Sequence, residues 1–497
     1  KRGIRIELFE WEDYDAAYNG MRKQDEYNER VRASDMFLAL FHKKAGKFTI
    51  EEFNIARKAF DEQASPKIYT YIKDLEAGES ESRELAEFKR LMLEELGHYW
   101  CRYSNFDTMQ LHFVLQLQMV EATTPIKVEV KESQVKIGDS TIADLNNVPF
   151  TSENATHREL QSRKEQLDRE IGNAESGGRR GFFGQRSRMT DEELANLREE
   201  RESVTEQIER QEKALVDTAM SIARMQGGEC SPRMRTAAEL FEKGEIDKAE
   251  AVLKEDDMEA DATNAKLKFD TAAQPTAELT RNIERCAGEY MLKARIVVSG
   301  IADESRYRQA VKLMSTAIDL VSGRLPEETL AEYLFDYAVL LTDTGQQTKA
   351  LETWERLSGI YERLYRKAPQ KYAYGYAGVL NNMAVLYSDK GDFDHCLSKY
   401  LKAIDIYDWL DREEPGIYDD DIARLKNNLG TLYSDRDEYN KALSEFNEAA
   451  RIRFELLAKD NDPDSRSALA DIYCNMATAL QFSDHPQEAL RYIAQAH

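Results

Sequence analysis

Two rhythms of hydrophobic and polar positions divide this chain. Over its first quarter, short apolar runs alternate with amphipathic stretches. Residues 4–11 (IRIELFEW) read as a strand, followed by a polar helical stretch at 22–32. Next comes MFLALF, Met36–Phe41, a run of strand length bounded by Ser34-Asp35 and His42-Lys43-Lys44. The pattern then predicts a helix at 49–61, a strand at 67–72 after Pro66, and helices at 85–96 and 105–121. Strands alternating with helices predict an α/β layer, here residues 1–122. A strand apolar on both faces predicts a parallel sheet covered on each side.

Beyond residue 122 the rhythm changes. Ile126, Val128 and Val130 alternate with Lys127, Glu129 and Lys131, and Val135-Lys136-Ile137 repeats the alternation. That predicts a small exposed β-hairpin as a connector over 123–152. Over 153–227 the apolar spacing turns helical: Leu160, Leu167 and Ile171, then Leu197, Val204, Ile208 and Leu215. Steps of seven and four predict an antiparallel coiled-coil hairpin. Its tip, GGRRGFFGQRSR, reads either as a solvated loop or as a contact for an acidic partner or phosphate.

Residues 228–497 are repetitive. Ala338, Ala384, Gly430 and Ala477 occupy one small-residue position, spaced 46, 46 and 47 apart. Ala350, Cys396, Ala442 and Ala489 form a second column, always 12 residues later. Small residues at that interval let two helices cross closely, and Gly345 and Gly391 suit the turn between them. These segments resemble tetratricopeptide repeats, lengthened from the usual period of about 34. Thr236–Leu253 in sequence, TAAELFEKGEIDKAEAVL, reads as a further unit with Gly244 in its turn, and 308–320 as the second helix of another. The expectation is six or so helix pairs in a right-handed superhelix, with a concave groove carrying Tyr387 and Tyr433. At its far end Leu480, Phe482 and Leu490 are expected to need a following unit or a partner.

Composition narrows the functions. The balance of 68 basic against 92 acidic residues gives a net charge of −24, which argues against a nucleic-acid-binding surface. Five scattered cysteines without a CxxC pair fit neither a zinc site nor a disulfide framework, and point to the cytoplasm. No apolar run is long enough to span a membrane. Neither a P-loop, nor a GxSxG elbow, nor an HExxH motif is present.

One stretch carries candidate chemistry. SDMFLALF followed by GKFTIEEFNIA places Glu51 and Glu52 at the start of a helix, just beyond the carboxyl end of a strand. Ligands of parallel sheets bind at that edge. The same stretch resembles the strand–loop–helix of nucleoside 2-deoxyribosyltransferases, and equally the TIR-like domains that prokaryotes fuse to TPR modules in intracellular immune systems. Glu52 and Ala56 fall on the motif's Glu and Ala, while Asn54 stands where the motif has glycine. The resemblance implies a catalytic Glu52 acting at the anomeric carbon of an N-glycoside, with NAD as substrate rather than cofactor. A carboxylate suits that reaction because the bond breaks through an oxocarbenium-like centre.

Sheet geometry adds Trp11 to stack a base, Gln24, Asp25 and Asn28 to hydrogen-bond a ribose, and His42 and Lys43 to hold a diphosphate, with Thr49 in the turn before Glu52. No metal ligands are expected. The fold class is then multidomain: a TIR/deoxyribosyltransferase-like α/β head, a coiled-coil hairpin and an all-α TPR superhelix. Three functions compete. One is an NAD-cleaving effector of antiphage or stress defence, regulated by a peptide or protein in the TPR groove and self-associating through head or coiled coil. The second is a non-catalytic adaptor with a degenerate head, and the third a nucleoside or nucleotide hydrolase.

Overall fold

The computed structural model describes residues 23–76, 78–92, 100–117, 128–137, 140–175, 190–225, 230–300, 303–413, 415–459, 463–483 and 485–496. The strand expected at 4–11 therefore lies outside the described residues. The head begins with α1 (Lys23–Ala33), β1 (Met36–Phe41), α2 (Lys47–Gln63) and β2 (Lys67–Lys73). It continues with α3 (Arg83–Arg90), β3 (Cys101–Tyr103) and α4 (Phe106–Leu117). The three strands form a parallel sheet in the order β1-β2-β3, with Met36 opposite Lys67 and Tyr71 opposite Cys101. Pleating sends Phe37, Ala39 and Phe41 into a core with Phe53 of α2 and Leu85 and Phe88 of α3. The rings of Phe41 and Phe53 both lie against Phe88, at 5.2 and 5.1 Å between centroids. On the other face Leu38 and Leu40 are 40% and 47% exposed, so the two-sided burial expected of β1 is not what the described residues show.

The expected connector is larger than a hairpin. Strands β4 (Glu129–Lys131), β5 (Gln134–Ile137) and β6 (Ser140–Asp144) form an antiparallel sheet, followed by a 3-10 turn and the short α5 (Pro149–Ser152). Nor is it exposed: Val135, Ala143 and Leu145 are buried in the main core. The third strand escaped the alternation because STIAD offers only one large apolar residue.

Helices α6 (Ala155–Glu175) and α7 (Asp191–Met225) make the coiled-coil hairpin. Leu160, Leu167, Leu197, Val204 and Ile208 form its seam. Leu215 does not: the second half of α7 leaves α6, and Leu215, Val216, Ile222 and Ala223 join the scaffold core. The heptad continues because a second apolar partner, rather than α6, receives it. Where the two halves meet, the buried Glu212 accepts through Oε1 from Ser133 Oγ at 2.6 Å and lies 2.9 Å from Nε2 of the buried His157.

Thereafter every element among the described residues is a helix: α8 (Pro232–Glu242), α9 (Ile246–Val252), α10 (Glu255–Thr271), α11 (Ala277–Ser299) and α12 (Glu304–Val321). Then come α13 (Glu327–Asp343), α14 (Gln347–Lys367), α15 (Pro369–Asp389) and α16 (Phe393–Glu413). The last four are α17 (Asp419–Ser434), α18 (Tyr439–Lys459), α19 (Pro463–Phe482) and α20 (Pro486–Ala496). Six antiparallel pairs result among the described residues, with α10 inserted after the first. Both small-residue columns are buried. At Gly430 the fit is tightest, since a Cβ there would stand 2.6 Å from the ring of Phe446. The turn position takes φ near 70° in Gly345 and Gly391, and Asp437 adopts φ 58° at the same place. Gly244 needs both its φ of 76° and its missing side chain, because a Cβ would meet Pro149 O at 2.6 Å. At the far end Leu480 is buried after all, clustered with Ala489 and Tyr492 of its own pair and Leu443 of α18, whereas Phe482 and Leu490 are each 65% exposed.

Candidate functional site

Helix α2 starts two residues earlier than the sequence suggests, so Glu51 and Glu52 stand one turn in rather than in its first turn. Both are half-buried. Asn28 on α1 is buried and donates from Nδ2 to Glu51 Oε1 at 2.9 Å. The polar helix face and the carboxylate pair thus meet, through Glu51 rather than Glu52. Asp25 is exposed, and Thr49 is half-buried in the turn beside Gly46. Trp11, and the side chain of Gln24, lie outside the described residues.

His42 and Lys43 already have an anion. Lys43 Nζ and His42 Nε2, the latter at 3.2 Å, both reach Glu79 in the loop before α3. The ammonium of Lys43 and the backbone N–H of Glu76 hold the Glu79 carboxyl down to about 2, from 4.5. A diphosphate would have to displace that carboxylate.

A second location at the same carboxyl edge was not legible in sequence. A cleft opens past β2 and β3, between the head and the scaffold. Its rim holds the ion pair Arg102–Asp74, 2.6 Å, with Glu242 and Lys243 at the end of α8, over a floor of Leu115 and Phe150. The head is fastened around it by polar contacts. Asn105 Nδ2 donates to Asn147 O at 2.6 Å, and Gln116 Nε2 to Ala223 O at 3.0 Å. Beside the cleft His112 is engaged at both ring nitrogens, by the Tyr71 hydroxyl at 3.0 Å and Cys101 Sγ at 3.1 Å. Desolvation pushes the Cys101 thiol well up, and Glu242 adds to it. The enclosed space, about 90 Å³, falls short of the ~300 Å³ at which small-molecule sites begin. Residues from 74 to 243 build this cleft, and only folding brings them together.

The repeat array offers the larger surface. Two residues before each small residue of the first column stand Asp336, Asn382, Asn428 and Asn475; five residues after it stand Asp343, Asp389, Asp435 and Phe482. These positions are seven apart, so they share a helix face to within about 20°. That face points away from the small residue, and hence away from the second helix of the pair. At two steps it reaches a neighbouring first helix: Asn475 Nδ2 donates to Asn427 Oδ1 of α17 at 3.1 Å, and Asp336 pairs with Arg295 of α11. Val385 on the same face is 39% exposed. The tyrosines expected in a groove sit elsewhere. Tyr387 is buried, donates to Glu355 at 2.8 Å and is pushed up to about 12 by desolvation. Tyr433 packs partly buried between pairs, with Lys441 Nζ 5.2 Å from its ring centre. The Asn column is legible in the sequence, two positions before the small residues of the first column.

No family model and no curated protein matches this chain. Among solved structures, it is similar to BtubC from P. vanneervenii at 19% identity, over 48% of this chain and 89% of that one, with a TM-score of 0.37. It is similar to a STAND protein with a tetratricopeptide repeat sensor from Pyrococcus horikoshii at 11% identity, over 96% and 82%, with a TM-score of 0.34. The apo quorum sensor NprR from B. thuringiensis aligns at 12% identity over 68% and 98%, with a TM-score of 0.26. The class the chain's own geometry defines is a helical-repeat protein of tetratricopeptide type carrying a small parallel α/β unit. Among the described residues, no helix is long and apolar enough to cross a membrane.

Proposed function

We propose that this chain is an interaction scaffold. Its repeat array captures a partner protein on the shared face of α13, α15, α17 and α19, and the α/β head is the unit governed by that capture. The observation behind this reading is the Asp336, Asn382, Asn428 and Asn475 column, in register with the buried small-residue column yet turned away from it. Buried positions recur in repeats because packing requires them. The polar column recurs on the opposite face, where Asp336 and Asn475 bond neighbouring first helices. Primary amides donate and accept at once, as peptide main chain does, so each can bond a neighbour and a partner together. Photo-crosslinking from position 385 tests it. Adducts from that site that disappear in Asn382→Ala/Asn428→Ala are expected; adducts indifferent to those changes would move the partner off this face.

A second reading concerns the head, where Asn28 holds Glu51 and leaves Glu52 half-buried near the carboxyl end of β1. That arrangement supports N-glycosidic cleavage, with Glu52 stabilising the ribosyl centre as the base departs and water completing the hydrolysis. Release of nicotinamide from NAD, or of bases from nucleosides, should fall at least a hundredfold in Glu52→Gln. If the wild-type chain releases no base even with its partner bound, the head is a docking unit and the chain an adaptor.

A further inference from the structure

One helix of the array lies outside its pairing. Helix α10 enters after the first pair, separated from α9 by Leu253 and Lys254 alone. Of its seventeen residues Met258, Ala262 and Ala265 are buried, against twelve of the twenty-three in α11. With the partly buried Phe269 they recur at helical spacing, so one narrow stripe holds α10 to the core. Its outer side is open, and Leu267 is 62% exposed. Elements with few buried apolar contacts are those that open locally while the rest of a fold stays closed.

Charge supplies the remainder of the hold. Lys293 Nζ of α11 lies 3.2 Å from Glu255, which also accepts from Gln309 Nε2 of α12 at 2.9 Å. Arg233 of α8 pairs with Asp261 and, at 2.9 Å, with the buried Glu289 of α11. Arg324, just after α12, donates to both carboxylate oxygens of Asp270, at 2.7 and 2.8 Å. With α10 in place only 8% of the Lys293 side chain and 15% of Arg324 reach solvent, so lifting the helix would strip both of their carboxylate.

What this seat selects is therefore written in α10 itself. Counted from Glu255, carboxylates stand at positions 1, 7 and 16, and small or apolar residues at 4, 8 and 11. At about 100° per residue the three acids flank the apolar stripe on both sides. We propose that α10 is a releasable strap, and that the seat it covers, formed by α8, α11 and α12 with Arg233, Lys293 and Arg324, binds an acidic amphipathic helix of a partner protein in its place. The strap is then a built-in competitor: a partner's apparent affinity falls by the fraction of time the seat stands open.

Two measurements on the full chain test this. Peptide-resolved hydrogen exchange reads the strap, and protection in α10 should be at least tenfold lower than in α11 and α12. Ion pairs at a surface are worth about two- to fivefold each, so Asp261→Asn/Asp270→Asn should lower α10 protection about tenfold further while α15 and α16 stay unchanged. Fluorescence anisotropy reads the seat, with a labelled peptide of residues 255–271. That peptide should bind the double variant at least fivefold tighter than wild type, because the competitor is weakened. A peptide carrying Glu255→Gln, Asp261→Asn and Asp270→Asn should bind at least tenfold weaker, and adding Arg324→Gln to the double variant should cost several-fold. Protection of α10 equal to that of α11, loss of protection in α15 and α16 as well, or equal or absent binding of the two peptides would each overturn the proposal. So would a double variant that dimerises and excludes the peptide, since the seat would then belong to a second copy's α10. None of these readouts involves Asn382 or Asn428, so the interaction face proposed above stands or falls separately.

Discussion

The head and the repeat array are stabilised in opposite ways. In the head, a three-stranded sheet rests on one small core around Phe41, Phe53 and Phe88, and α4 ties it to the scaffold through Leu111 and Leu115, buried in the main core, and through the hydrogen bonds of Asn105 and Gln116. In the array one continuous core runs from β4–β6 to Ile452 of α18, a second cluster follows around Phe446, and each pair repeats the environment of the one before. A unique environment gives no internal control, because no second copy shows which features packing demands. A repeated one does. Where the small residue is constant but a face turned away from it is also constant, the second regularity needs another cause.

The largest effect that would test this contrast is Trp354→Ala. The indole is fully buried on α14, edge-on to Phe335 at 5.4 Å, with Nε1 donating to Thr342 Oγ1 at 3.2 Å. Tyr400 and Phe446 occupy the equivalent places 46 and 92 residues on, so this aromatic anchors each pair. Truncation should cost about 3–5 kcal/mol. Denaturant unfolding should show it as a lower midpoint. A loss below about 1 kcal/mol would mean that the units tolerate cavities independently, and the single-core description would fail.

How much of this was legible beforehand follows the same contrast. MFLALF gave its strand to the residue, because six apolar residues between polar flanks admit one element. The helix pairs were legible because small residues at fixed intervals report crossings directly. Val135 was misjudged as exposed, since alternation reveals that one face is apolar but not what covers it. The His112 setting and the head–scaffold cleft were illegible for a different reason: Arg102 and Lys243 are distant in sequence, and no local spacing encodes their meeting. The bond between Glu51 and the buried Asn28 was illegible for the same reason, since Asn28 belongs to a neighbouring helix.

A middle-sized effect concerns the exception within the column. Gly430 stands where the other units have alanine, and Phe446 fills the space. Gly430→Ala forces a contact of 2.6 Å on a buried ring and should cost about 1–3 kcal/mol despite alanine's better helix propensity. Phe446→Leu in the same chain should recover part of the loss, although it is destabilising alone. Additive effects of the two changes, measured as a double-mutant cycle, would show that glycine and ring do not compensate.

The smallest effect lies in the head. Glu79 joins the loop after β1 to the loop before α3, where Ser82 N–H donates to Lys43 O at 2.8 Å. Its carboxyl is held down to about 2 from 4.5. A group whose folded pKa is lowered contributes fully above its unfolded value and loses that contribution as pH falls through the folded one. The clasp should therefore hold at neutral pH, weaken from about 4.5 downward and be gone near 2. Hydrogen exchange at Ser82, compared with Glu79→Gln at each pH, reads this directly: the wild type should be better protected above that window and converge with the variant within it. Convergence at neutral pH instead would show that Lys43 and His42 do not depend on Glu79 for their position. Their availability to a diphosphate would then have to be judged without that competitor.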